Sequence, residues 1–173
     1  MKQTKPLTLV LSALAAGVVG GIYGLYQVSH GHALPTAHIN SLVPMPAIAI
    51  VLAFLAYPVY RYRKQSLDYT KAASASAITA RPERPKRLDP FYAVRVLLLA
   101  KSTSVASAAI AGFHIGLVLL QLSTPVVANG VWLNIAGVAG GLLAMVVGLI
   151  VERICRIPDG GVDAGNQSSE AAA

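Results

Sequence analysis

VWLNIAGVAGGLLAMVVGLIV fills positions 131–151, and Glu152-Arg153 closes it. Apart from Asn134 and the indole of Trp132 the run carries no polar side chain. As an α-helix it would rise about 30 Å, the thickness of a bilayer's hydrocarbon core. A soluble helix needs a polar face toward water, and this stretch has none, so it is predicted to span a membrane.

Working outward, three more blocks of similar character appear: Leu7–Val28, Val43–Tyr60 and about Val94–Leu122. The chain of 173 residues is 55% hydrophobic and only 12% charged, which excludes an ordinary soluble domain and agrees with four spans. The expected fold is all-α, an integral membrane four-helix antiparallel bundle over residues 1–158. A cytoplasmic connector would run over 61–89 and a disordered tail over 159–173. Lys2 and Lys5 before the first block resemble a signal peptide, but the block is too long for a typical signal core and reads as an uncleaved anchor.

Proline and its neighbours mark the boundaries. Pro44 and Pro46 suit the first turn of the second span, and Pro58 is expected to kink or end it. Leu88-Asp89-Pro90 marks the start of the third, with Asp89 as the helix cap. The stretch Arg81–Arg87 is expected to be extended, because its prolines block helix and its like charges repel.

A net charge of +7 could suggest nucleic acid, but the basic residues sit where topology needs them. Lys2 and Lys5 precede the first span, Arg61, Arg63, Lys64, Lys71, Arg81, Arg84, Lys86 and Arg87 fill the connector, and Arg153 and Arg156 follow the fourth. The segments Ser29–Leu42 and Ser123–Gly130 hold no charged side chain. Both termini are therefore expected in the cytoplasm, with the connector's cations available to anionic lipid headgroups. Tyr and Trp residues near the span ends fit two interfacial belts.

Inside the membrane, the third span places Lys101, Ser104, Ala108 and Gly112 on one stripe with Gly116 at its edge, and the fourth places Asn134, Gly141, Met145, Gly148 and Glu152 on another. Small residues let helix backbones approach closely, so these stripes are expected to face each other, with Gly112, Gly116, Gly141 and Gly148 as packing positions. Lys101 and Glu152 would then meet as an ion pair near the cytoplasmic level. The competing arrangement has Lys101 reaching the headgroups while Glu152 is solvated. Lys101 could also line a substrate or proton path, whereas Arg95 reads as an interfacial anchor. The first span offers two small-residue registers, Ala13-Gly17-Gly21 and Ala16-Gly20-Gly24. Ser102, Thr103, Ser104 and Ser107 are expected to bond back to their own helix.

His30, His32, His38 and His114 all fall on the outer side, where a zinc or copper site is conceivable, but no outer carboxylate or second cysteine completes one. Cys155, the single cysteine, excludes an intramolecular disulfide and reads as a small apolar residue at the membrane edge. No phosphate loop, metalloprotease motif, paired carboxylates or nucleophile elbow is present, and nothing implies a cofactor.

Several of these residues also carry a family likeness: Thr4 and a glycine-rich first span, Tyr57-Pro58-Val59 followed by Arg61, Leu88-Asp89-Pro90 with Arg95, Ala100-Lys101 followed by small residues, and Glu152-Arg153 with Cys155-Arg156 and Pro158. In order and spacing the chain resembles small four-helix membrane proteins of unknown function from high-GC Gram-positive bacteria, whose genes often lie near folate-biosynthesis genes. Tyr57 stands where such proteins usually have Trp, which keeps an interfacial aromatic. The resemblance implies a plasma-membrane location and supplies no activity. The expected role is a non-enzymatic scaffold or accessory subunit, alone as a homo-oligomer or within a larger membrane complex. The alternative is an oligomeric small transporter or channel component with Lys101 and Glu152 near its cytoplasmic mouth, followed by an enzyme acting on lipid.

Overall fold

In hydrocarbon a chain must satisfy its own backbone, so each apolar block closes into a helix. The computed structural model describes residues 4–75, 89–123 and 130–155. These form α1 (Pro6–Ser29), α2 (Ile39–Leu42), α3 (Pro44–Ala75), α4 (Pro90–Leu122) and α5 (Val131–Cys155). Four of them are long and apolar enough to cross a bilayer, with best-window mean hydropathies of 1.8 to 2.2; the short α2 directly precedes α3. The chain is thus all-helical among its described residues and is a multi-pass membrane protein.

Local sequence explains the helix ends. Gly31 adopts φ +74, which only glycine does without strain, and stops α1 in a Schellman turn. There the His32 amide donates to the Gln27 carbonyl at 3.0 Å and the Gly31 amide to the Val28 carbonyl at 3.0 Å. At the start of α4, Asp89 Oδ1 accepts the Phe91 amide at 2.9 Å, and Pro90 follows where no amide hydrogen is needed.

α3 departs from expectation. It runs unbroken through Pro58 and continues to Ala75, so the first half of the expected connector is helix. Pro58 deprives the Phe54 carbonyl of its usual partner, and beside that gap Tyr92 Oη donates to the Leu55 carbonyl at 2.8 Å. A side chain from α4 thus bonds the α3 backbone one residue from the interruption. Beyond Arg61 the sequence to Ala75 contains no Pro or Gly, and its Arg, Lys, Gln, Leu and Ala residues favour helix. The Arg81–Arg87 stretch, most of the 123–130 turn and the 159–173 tail lie outside the described residues.

α4 is the centre of the packing, with α1 on one side and α5 on the other; α3 lies against α5 and touches α4 lightly. The paired residues give the directions. Gly17 meets Gly112, Gly20 meets Phe113 and Gly24 meets Leu117 and Leu120, so α1 and α4 are parallel. Gly148 meets Ala100 and Ser104, Gly141 meets Ala111 and Gly137 meets His114, so α4 and α5 are antiparallel. Met45 lies on Gly140 while Arg63 reaches Arg153, so α3 runs with α5. Consecutive spans alternate, yet two of the three main interfaces pair parallel helices.

The α4 stripe expected to face α5 is therefore divided. Ser104 and Ala108 are buried, with Ser104 against Gly148, but Gly112 and Gly116 approach the Ala13 and Gly17 backbones of α1. The reason is α4's central place: a helix with neighbours on two sides needs small residues on both. Toward the C-terminal end of α5, Leu52, Ala56, Val59, Val96, Ala100, Val151 and Cys155 form the apolar core of three helices. Lipid is as apolar as these side chains, so close packing and buried polar contacts hold the helices together.

Candidate functional site

Two polar assemblies occupy opposite ends of the bundle. At the end where α5 begins, Asn134 is completely buried and Gln121 is 1% exposed. Asn134 Oδ1 accepts the Ala37 amide at 3.1 Å, while its Nδ2 donates to the Pro35 carbonyl at 3.2 Å and to Gln121 Oε1 at 3.1 Å. Gln121 Nε2 donates to the same Pro35 carbonyl at 3.3 Å. A backbone amide can only donate and a proline carbonyl only accept, so these partners fix which way the Asn134 amide points. His114 Nδ1 lies 3.3 Å from Asn134 Oδ1 and must therefore carry the hydrogen.

Glycine makes room for this assembly. The His114 ring lies where a side chain at Gly137 would be, and Thr36 lies where one at Gly130 would be. The Pro35–Ala37 segment is thus held between α4 and α5, and His114 is turned into the bundle, while His30, His32 and His38 are exposed. Among the described residues no three His, Cys, Asp or Glu side chains come together to hold a metal.

At the other end, Glu152 is only 7% exposed. Its Oε1 accepts the Thr4 backbone amide at 2.8 Å and its Oε2 accepts the Thr4 hydroxyl at 2.7 Å. A carboxylate drawn into an apolar region needs such charge-assisted bonds, which are shorter and about twice as strong as neutral ones. They join the chain's beginning to the end of α5. Beside them Arg63 Nη1 donates to the Arg153 carbonyl at 2.9 Å, placing a cation on the C-terminal carbonyls of α5 where the helix dipole favours it.

The remaining candidates fall as follows. Lys101 is half-buried on α4, one residue beyond Ala100, whose carbonyl faces Gly148 one turn from Glu152. Arg95 is exposed. Ser102 and Ser104 donate to the Leu99 and Ala100 carbonyls at 3.0 and 2.9 Å. Cys155 is buried and takes part in no disulfide. Between α3 and α4 lies a recess of about 200 Å³ lined by Met45, Ile48, Ser102, Thr103, Ala106 and Ser107 among others. Sequence reasoning missed the Thr4 clamp and the role of Gln121. The available signal was that Gln121, Asn134 and Glu152 are uncharged amides or an acid set in apolar helices, where each needs a partner.

Four apolar spans, small-residue interfaces and polar locks at both ends define a multi-pass helical membrane protein whose interior polar groups bond to its own chain. The chain belongs to the family described as "Protein of unknown function (DUF3180)", whose model matches residues 9–159. No curated protein matches it. No solved structure does either.

Proposed function

We propose that the protein is a non-enzymatic scaffold or accessory subunit of the plasma membrane, with both termini and the connector on the cytoplasmic side. The observation that carries this reading is the use made of the buried polar groups. Asn134 and Glu152 spend their bonds on a loop backbone and on Thr4, so they act as fasteners for the bundle. What such a body offers to other molecules is its outer surface. The orientation is supported by the distribution of Lys and Arg, which are absent from both segments assigned to the outside. Crosslinking in native membranes followed by mass spectrometry tests the role. A recurrent larger partner or a second copy of the chain is the expected result; flux of protons or ions in liposomes that is lost on Lys101→Ala, with no adduct, would instead favour a transporter.

The same reading includes the Lys101–Glu152 ion pair. Side chains on a helix lean toward its N-terminus, which directs the Lys101 stem toward the level of Glu152. A carboxylate has about four acceptor sites, so the two bonds from Thr4 leave room for an ammonium. Lys101→Met and Glu152→Gln, made singly and together, are expected to show a coupling of about 1–3 kcal/mol in folded stability. Strictly additive losses would remove the pair.

A further inference from the structure

α3 leaves the bilayer as a helix, and its two faces differ. One face is committed to the protein: Leu52, Ala56 and Val59 are buried in the core, and Arg63 caps α5. That anchoring fixes the rotation of the helix. It turns Tyr57, Tyr60, Arg61 and Lys64, at helical spacings of three and four, onto the opposite side, where all four are exposed. Together with Gln65 and Asp68 they line a recess of about 330 Å³ on the outside of α3. Among the described residues Arg61 and Lys64 have no hydrogen-bond or ion-pair partner, in contrast to Arg63.

We propose that this face is a binding site for the headgroup of an anionic glycerophospholipid. From Pro44 to Tyr60 the helix is apolar and rises about 25 Å, so Arg61 is the first charged side chain to emerge from the hydrocarbon. Arg61 and Lys64 are separated by about 4.5 Å along the axis, which falls within a headgroup layer of about 5–7 Å. A phosphate there meets a forked guanidinium and an ammonium, while the phenol hydroxyls of Tyr57 and Tyr60 sit at the level tyrosine favours. Asp68 lies about 6 Å beyond Lys64 and about 10 Å beyond Arg61 along the axis, on the water side of both, so a phosphate at headgroup level meets the two cations first. The complementarity is thus one of charge and depth together. The site rests on the membrane-spanning fold and stands apart from the accessory role, which its failure would leave intact.

The test uses full-length protein in bilayer discs containing phosphatidylglycerol, phosphatidylethanolamine and phosphatidylcholine, with retained lipids counted by native mass spectrometry. Phosphatidylglycerol is expected to be retained preferentially, and Arg61→Gln with Lys64→Gln to lower its retention about twenty-five-fold, at about fivefold per basic side chain near the surface. An equal removal of charge by Lys5→Gln with Arg153→Gln should leave retention nearly unchanged. Excess inorganic phosphate should not displace the lipid. Unchanged retention in the Arg61/Lys64 variant would overturn the site, as would an equal loss in the control pair. Release by free phosphate, or preference for phosphatidylethanolamine, would overturn it in favour of a soluble anion or of amine recognition through Asp68. If the double variant fails to fold, a salt titration of the wild-type protein decides: retention must fall as salt rises, and salt-independent retention sinks the proposal.

Discussion

Gly112→Ala is expected to loosen α1 from α4 and to lower folded stability by at least about 2 kcal/mol, although alanine is by about 1 kcal/mol the better helix former. A Cβ at this position would fall 2.7 Å from both the carbonyl carbon and Cα of Ala13, and closer still to its carbonyl oxygen. All three atoms are backbone, so no side-chain rotation can relieve the overlap and the helices must separate. In lipid that separation forfeits the close packing on which association depends. Gly21→Ala, on the partner helix α1, supplies the opposite sign, because a Cβ there meets nothing within 4 Å. It should be neutral or stabilising through helix propensity. An SDS-unfolding titration of both variants checks this; equal stability of the two would mean that α1 does not pack on α4 through Gly112.

The spans were legible because the bilayer imposes a single demand, a run of about 20 apolar residues, and each of the four blocks meets it. Asp89-Pro90 was equally legible, since capping depends on residues adjacent in sequence. What sequence could not supply was that α4 has neighbours on two sides, α5 and α1. Gly112 and Gly148 both announce a close approach, but a small residue does not name its partner, and the α4 stripe turned out to serve α1 as well as α5. Pro58 does not end α3, one of the two outcomes expected for it, for a related reason. Its cost to an isolated helix is local, whereas the Tyr92 hydroxyl that bonds the backbone beside it comes from another span. Thr4 and Glu152, 148 positions apart, illustrate the limit most plainly: nothing in either residue's surroundings indicates the other until the bundle is assembled.

That limit makes Asn134 the most informative position to alter, because its contacts are almost all distant in sequence. Asn134→Ala should cost about 3 kcal/mol. Interhelical hydrogen bonds in membranes average about 0.6 kcal/mol each, and Asn134 engages Ala37, Pro35, Gln121 and His114. A further part comes from what remains behind: the Ala37 amide loses its acceptor in a site with Ala37 only 8% exposed, and an unsatisfied buried group costs about 1 kcal/mol or more. Gln121→Ala should cost less, since Asn134 would still hold both Ala37 and Pro35. Global stability alone would not distinguish a lost fastener from a general defect, so the decisive measurement is amide exchange at Ala37. The Asn134 variant should accelerate it strongly while exchange within α1 changes only as far as overall stability does. Protection at Ala37 equal to that of the wild type would show that the Pro35–Ala37 segment is held by something other than this side chain.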